Sequence, residues 1–145
     1  INDYNLEGGW ATAKLEALCK YAESNPDVTG VGTQMHISSD INRDDFVKML
    51  KRMVQTGKMV RISELDVTQG TTDQGETMVY IFDQYLTLVP KEQRGGITFW
   101  GVSDKNTWLN TNNRKEYPLL YDANYNRKSC YRKHHAYLLE RAGLE

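Results

Sequence analysis

Apolar and polar positions along this chain fall into two alternating periods. Short apolar runs read as strands, and between them apolar residues recur at spacings of three and four, as on one face of a helix. The first run, Ile1-Asn-Asp-Tyr-Asn5, is strand-like and ends polar. After a Gly8-Gly9 turn, Trp10 to about Ser24 reads as a helix with Leu15, Leu18, Tyr21 and Ala22 inward, stopped by Asn25-Pro26-Asp27. Val28 to Met35 reads as a second strand, ending Gln34-Met35-His36. Ser39-Asp40 is suited to cap a second helix with Phe46, Met49, Leu50 and Met53 on its apolar face, closed by Thr56-Gly57-Lys58. The third strand, Met59 to Val67, sets apolar Val60, Ile62 and Leu65 beside two carboxylates, Glu64 and Asp66. A third helix is predicted from about Gly75 to Val89, with Met78, Phe82, Tyr85 and Leu86 inward and Pro90 ending it. The fourth strand, Gly96 to Trp100, leads into a long loop from Gly101 to Tyr117 that holds Asp104, Lys105 and Trp108. A last helix is predicted from about Lys128 to Ala142.

Strands thus recur about every 30 residues with helices between them, which predicts parallel, right-handed βαβ units. Parallel sheets are covered on both faces, in keeping with the near-continuous apolar runs. Eight such repeats make the roughly 250 residues of a (β/α)₈ barrel, so the length here suits half of one. The rival is a small open doubly wound sheet, complete at this length. That fold usually carries a Gly-rich phosphate turn after its first strand, and Gly8-Gly9 imitates it weakly.

Composition narrows the function without naming it. The chain has 145 residues, 39% hydrophobic and 26% charged, with a formal net charge of −1. That balance, with Lys and Arg scattered, predicts a single soluble domain and no nucleic-acid or membrane-surface partner. No run approaches the roughly 20 apolar residues of a membrane span, and no leader peptide is visible. The chain opens on Ile1 in what reads as mid-strand, so a piece of a longer protein is expected. Cys19 and Cys130 have no metal-ligand spacing and read as helix packing. His36, His134 and His135 form no zinc pattern, so neither a metal nor another cofactor is expected.

Chemistry gathers at the strand ends. The runs finish in Asp3-Tyr4-Asn5, Gln34-Met35-His36, Glu64-Leu65-Asp66, and Trp100 followed by Ser103-Asp104-Lys105, whereas the opposite ends are Gly, Thr, Lys and Val. Burying a carboxylate costs several kcal/mol unless it is paired or used, so two at one strand end point to a site. No Gly-x-x-x-x-Gly-Lys-Ser/Thr loop and no Gly-x-Ser-x-Gly elbow occur. Carboxylates, an imidazole and indoles together favour a sugar site, where aromatic faces stack on pyranose rings and paired carboxyl groups cleave the glycosidic bond.

The runs Asn2-Asp-Tyr-Asn5, Gly30-Val-Gly-Thr-Gln-Met-His-Ile37, Val60-Arg-Ile-Ser-Glu-Leu-Asp-Val67 and Gln93-Arg-Gly-Gly-Ile-Thr-Phe-Trp-Gly-Val-Ser-Asp-Lys105, with Pro118-Leu-Leu and Asp122, give the chain its family likeness. Over essentially its whole length it resembles glycoside hydrolase family 10, the endo-1,4-β-xylanases. The resemblance implies the C-terminal half, strands five to eight, of a (β/α)₈ barrel that hydrolyses β-1,4-xylan with retention. It implies Glu64 as the nucleophile, with His36 and Asp66 holding it in place and ionised. It implies that Gln34 reaches the sugar next to the scissile bond, that Trp100 and Trp108 are aromatic walls, and that Tyr4 and Asn5 lie near the cleavage point. The physics agrees, because a hydrogen bond from an imidazole favours the charged form of a carboxylate.

One part of the family's site is expected to be missing. Its acid/base glutamate lies in an Asn-Glu pair ending strand four, and Glu7 here belongs to an Asn-Leu-Glu run instead. The expectations are a chain inactive alone, completed by an N-terminal half-barrel or self-associating through open strand edges, and a secreted, cell-surface or periplasmic setting inferred from the substrate. Two other readings stay open: a non-catalytic carbohydrate-binding module using Trp100 and Trp108, and a structural α/β domain whose polar strand ends cap loops.

Overall fold

A computed structural model describes residues 1–144. Its strands are β1 (Asn2–Asp3), β2 (Gly30–Thr33), β3 (His36–Ser38), β4 (Met59–Thr68) and β5 (Arg94–Phe99). Its helices are α1 (Thr12–Ser24), α2 (Arg43–Gln55), α3 (Gln74–Leu88) and α4 (Ser129–Ala142). The strands form one sheet in the order β1-β2-β4-β3, with β5 also paired to β4. Pairing of β1 with β2 is parallel, with Asn2 opposite Gly32; pairing of β2 with β4 is parallel, with Val31 opposite Val60. The predicted order of strands and helices is present, and the boundaries of α3 and α4 lie within a residue of expectation.

Three local readings change. The first strand is reduced to Asn2–Asp3, because Asn5 takes a φ of 53° and turns the chain. The second strand divides into β2 and β3, because Met35 takes a φ of 65°. The cap of α2 is Asn42, whose side chain accepts from the Asp45 N–H. Ser39 and Asp40 are engaged elsewhere: Asp40 accepts from the Thr71 and Thr72 N–H groups, and the Ser39 hydroxyl donates to the Thr72 carbonyl.

By packing, the chain divides into two compact units, one built from residues 1–36, 41–65 and 83–98, the other from 37–40, 66–82 and 99 onward. In the first unit, α2 buries Phe46, Met49, Leu50 and Met53 as predicted. Side chains of this size each contribute about 1.5–3 kcal/mol when fully buried. Helix α1 buries Leu15, Cys19 and Ala22, while Leu18 is half-buried and Tyr21 exposed, contrary to the predicted face. At about 100° per residue, the first three fall within one arc of about 60° and Tyr21 lies about 130° from its middle. Helices α1 and α2 are linked by Arg52, whose guanidinium meets Glu16 at 2.7 Å and Glu23 at 2.8 Å. Gly57, at φ 69°, ends α2 in the left-handed conformation that glycine adopts freely. Buried Tyr85 of α3 donates its hydroxyl to the Val60 carbonyl and accepts from the Gly96 N–H, so one phenol ties the helix to both β4 and β5.

In the second unit, Val67, Met78, Ile81 and Leu119 are fully buried. Beside them Phe82, Phe99 and His134 form a ring cluster, with the imidazole edge-on to both phenyl rings at 4.3 and 5.7 Å between centroids. Burial holds His134 below the usual imidazole range. Cys130 lies in this unit and Cys19 in the first; both thiols are free and buried, as helix packing predicted, and Cys19 is pushed up to about 11 by burial.

Candidate active site

Because β1, β2 and β4 are parallel, the C-terminal ends of β1 and β2 lie beside the middle of β4, which runs on to Thr68, and backbone bonds extend the alignment beyond β1 and β2. Gln34 N–H donates to the Asp3 carbonyl at 3.0 Å, and Glu64 N–H donates to the Gln34 carbonyl at 3.0 Å. This level of the sheet therefore carries, in one register, Tyr4 and Asn5 after β1, Gln34 after β2, and Glu64 on β4. Positive φ at Asn5 and Met35 bends the chain just past this point, and Met35 is fully buried there. Asn enters the left-handed region readily; a methionine there is uncommon, and strain of this kind costs of order 1–3 kcal/mol. At Met35 it turns the chain so that His36 follows.

His36 Nε2 lies 3.0 Å from Glu64 Oε2, and both side chains are mostly buried. Against an ionised carboxylate the Nε2 position carries the proton and donates. The hydrogen bond leaves Glu64 Oε1 outside the pairing. A carboxylate nucleophile requires one oxygen to meet the reactant, and the imidazole engages only Oε2.

Around this pair the first unit adds Lys14, which no sequence motif singled out, and gives Asp3, Tyr4 and Glu7 specific surroundings. Lys14 sits with its ammonium 3.8 Å above the Tyr4 ring, 2.6 Å from the Tyr4 carbonyl and 2.9 Å from Asp3. One face of Tyr4 is thus occupied by a cation, and the ring remains half exposed. The bond to Lys14 holds the Asp3 carboxyl below its usual range. Glu7 is buried, and its Oε2 has no hydrogen-bond partner among the described residues. Burial pushes this carboxyl up, opposed by backbone N–H groups of Glu7 and Leu6 and by the charge of His36. No signal in the Asn-Leu-Glu run foretells that burial.

In the second unit, Asp66 is 1% exposed, and its Oδ2 accepts from the Trp108 indole N–H at 2.8 Å. Trp108, expected as an aromatic wall, is here a donor to a buried carboxylate, a role that spacing could not reveal. Trp108 is 57% exposed and Trp100 47%. Ser103-Asp104-Lys105, read from sequence as a reactive strand end, proves architectural at Asp104. That carboxylate is buried, accepts from the Leu119 N–H and lies 2.8 Å from the Lys128 ammonium. Among the described residues no cluster of His, Cys, Asp and Glu is arranged to hold a metal ion. No described helix is long and apolar enough to cross a membrane.

The chain is similar to known proteins over most of its length. Endo-β-1,4-xylanase Xyn10C of Cellvibrio japonicus is 35% identical across 90% of this chain and 26% of its own. The structure of a thermostable mutant of xylanase Xyn10A from Cellvibrio japonicus superposes with a TM-score of 0.82 at 27% identity, covering 94% of this chain and 48% of that one. Xylanase 10B from Thermotoga petrophila RKU-1, solved in complex with xylobiose, superposes at 0.80 with 30% identity, covering 97% of this chain and 46% of that one. The chain spans about half the length of these solved structures. Its parallel βα repeat is accordingly the C-terminal half of a (β/α)₈ barrel, not an open doubly wound sheet. With the model of glycosyl hydrolase family 10 matched over residues 1–137, the chain belongs to that family.

Proposed function

We propose that this chain supplies the nucleophile half of a retaining endo-1,4-β-xylanase site and hydrolyses xylan only within a completed barrel. The observation that carries the reading is the 3.0 Å contact between His36 Nε2 and Glu64 Oε2, on β4 just beyond its pairing with β2. Glu64 is the nucleophile. It attacks the anomeric carbon through its other oxygen, forming a glycosyl-enzyme ester as the leaving sugar departs; water later releases the glycone. His36 holds the carboxylate in line, and Asp66, anchored by Trp108, supports the same strand. Gln34, Tyr4 and Asn5 contact the sugars flanking the scissile bond, and Trp100 and Trp108 stack on the glycone.

A retaining reaction needs a second carboxyl group, about 5–5.5 Å from the first, to protonate the leaving oxygen. Such general acid help is typically worth ~10²–10⁴-fold. That group comes from the N-terminal half of the barrel, which is the partner this chain requires; self-association through the open edge of β1 is the competing assembly. Family membership supports a xylan substrate, as does the relative solved with xylobiose. An extracellular or periplasmic setting follows from a polymeric substrate outside the cell.

The test is to assay the purified chain on xylan alone and after co-expression with the N-terminal half of a family 10 barrel. Turnover is expected only from the completed barrel, and Glu64→Ala is expected to abolish it. With a fluorinated xyloside that arrests the intermediate, the adduct is expected on Glu64. An adduct on another carboxylate, or hydrolysis by the chain alone, refutes the proposal.

A further inference from the structure

The loop that carries Trp108 leaves β5 and returns before α4; its two ends are joined by the Leu119 N–H on Asp104 Oδ1 and the Asp104 N–H on the Tyr121 carbonyl, and one ammonium reaches both. Lys128, the residue preceding α4, donates to the Tyr117 carbonyl at 2.7 Å and the Leu119 carbonyl at 2.8 Å. Its third contact is Asp104 Oδ2 at 2.8 Å, an ion pair rather than an aligned hydrogen bond. Two of the three lysine donors thus meet carbonyls, and the charge meets a carboxylate. Tyr117 and Leu119 lie where the loop returns; Asp104 lies where it departs. Both charged groups are largely shielded, with side-chain exposures of 18% for Lys128 and 1% for Asp104. Inside this neck the Asp104 carbonyl accepts from the Asn110 side-chain amide, and Asn110 Oδ1 accepts from the Glu116 N–H. Trp108 sits within the loop so tied, its indole N–H on Asp66.

We infer that Lys128 is a positioning residue for Trp108: by closing the neck at Asp104, Tyr117 and Leu119, it holds the indole over Asp66 in the orientation that presents its face to a sugar. The sugar-facing part rests on the proposed function; the positioning itself does not. Closing a loop of this length carries an entropic penalty that the three contacts offset. Without them the loop samples other closures, and the indole N–H loses its fixed acceptor.

The experiment is ¹H–¹⁵N NMR of the indole N–H groups in the full chain, with the Trp108 signal assigned through Trp108→Phe. In the wild type, the Trp108 N–H is expected to exchange with solvent on the order of tenfold or more slowly than that of Trp10, which is 77% exposed. Lys128→Met is expected to remove that difference and leave the Trp10 signal in place. Lys128→Arg, which keeps a cation at the neck, is expected to restore part of the protection. The double variant Asp104→Asn, Lys128→Met removes the unpaired buried charge, so it is expected to stay folded with Trp108 still unprotected. A Trp108 signal unmoved in both Lys128→Met and the double variant overturns the inference. So does a wild-type Trp108 that exchanges as fast as Trp10, or collapse of every dispersed signal in both variants, which makes Lys128 a residue of the whole fold. No sugar enters the measurement, so its failure is separate from failure of the xylanase reading.

Discussion

His36 and Glu64 stand 28 residues apart in the chain, and their side chains meet at 3.0 Å. The contact exists because β2 and β4 are parallel neighbours and because positive φ at Met35 turns the chain between Gln34 and His36. A carboxylate held through one oxygen loses rotational freedom before a substrate arrives, which is how orientation lowers a barrier.

Removing the imidazole is therefore expected to act on the chemical step. In the completed barrel, His36→Ala should lower kcat by about 10- to 10²-fold with KM nearly unchanged. Steady-state kinetics on a xylo-oligosaccharide checks this. A rise in KM at constant kcat would make His36 a sugar-binding group instead.

Burial of Glu7 makes a pH-dependent contribution to stability. Its carboxyl is raised above the ordinary 4.5, so the folded chain holds the proton more tightly than the unfolded chain. That contribution is fully present below about 4.5 and is lost as pH rises through the folded value. Glu7→Gln, which cannot ionise, should be more stable than the wild type at pH 7 and lose the advantage near pH 4. Urea midpoints at the two pH values decide it; an equal difference at both would mean the carboxyl is not the cause.

His134 responds to acid in the opposite sense. Burial between Phe82 and Phe99 lowers its affinity for a proton below that of the unfolded chain. Between the unfolded value, about 6.5, and the lower folded one, the unfolded state binds more protons, so stability declines as pH drops through this window. His134→Leu should flatten the slope of the urea midpoint between pH 7.5 and 5.5. An unchanged slope would assign it to another group.

Tyr85→Phe tests the join between α3 and the sheet. The variant keeps the ring and leaves both the Val60 carbonyl and the Gly96 N–H without their phenol partner. Leaving buried polar groups unpaired costs about 1–3 kcal/mol, and a loss of that size is expected in denaturant unfolding. A loss below about 0.5 kcal/mol would show that water replaces the hydroxyl.

The sequence by itself determined the order of elements, the parallel repeat, the apolar face of α2 and the family. Local periodicity and short motifs carry that information, since a helical face or a strand run is written in neighbouring residues. It also brought Glu64, His36 and Gln34 forward as candidates, because polar residues at the ends of apolar runs stand out in one dimension, and Trp100 and Trp108 through the family resemblance. Only the tertiary structure decided what each of them touches. That Asp66 binds the Trp108 indole, that Lys128 closes a loop beginning at Asp104, and that Glu7 is buried all depend on distant segments meeting. The kinks at Asn5 and Met35 belong to the tertiary structure for a related reason: left-handed φ in a non-glycine residue is imposed by surrounding packing, and no local propensity announces it.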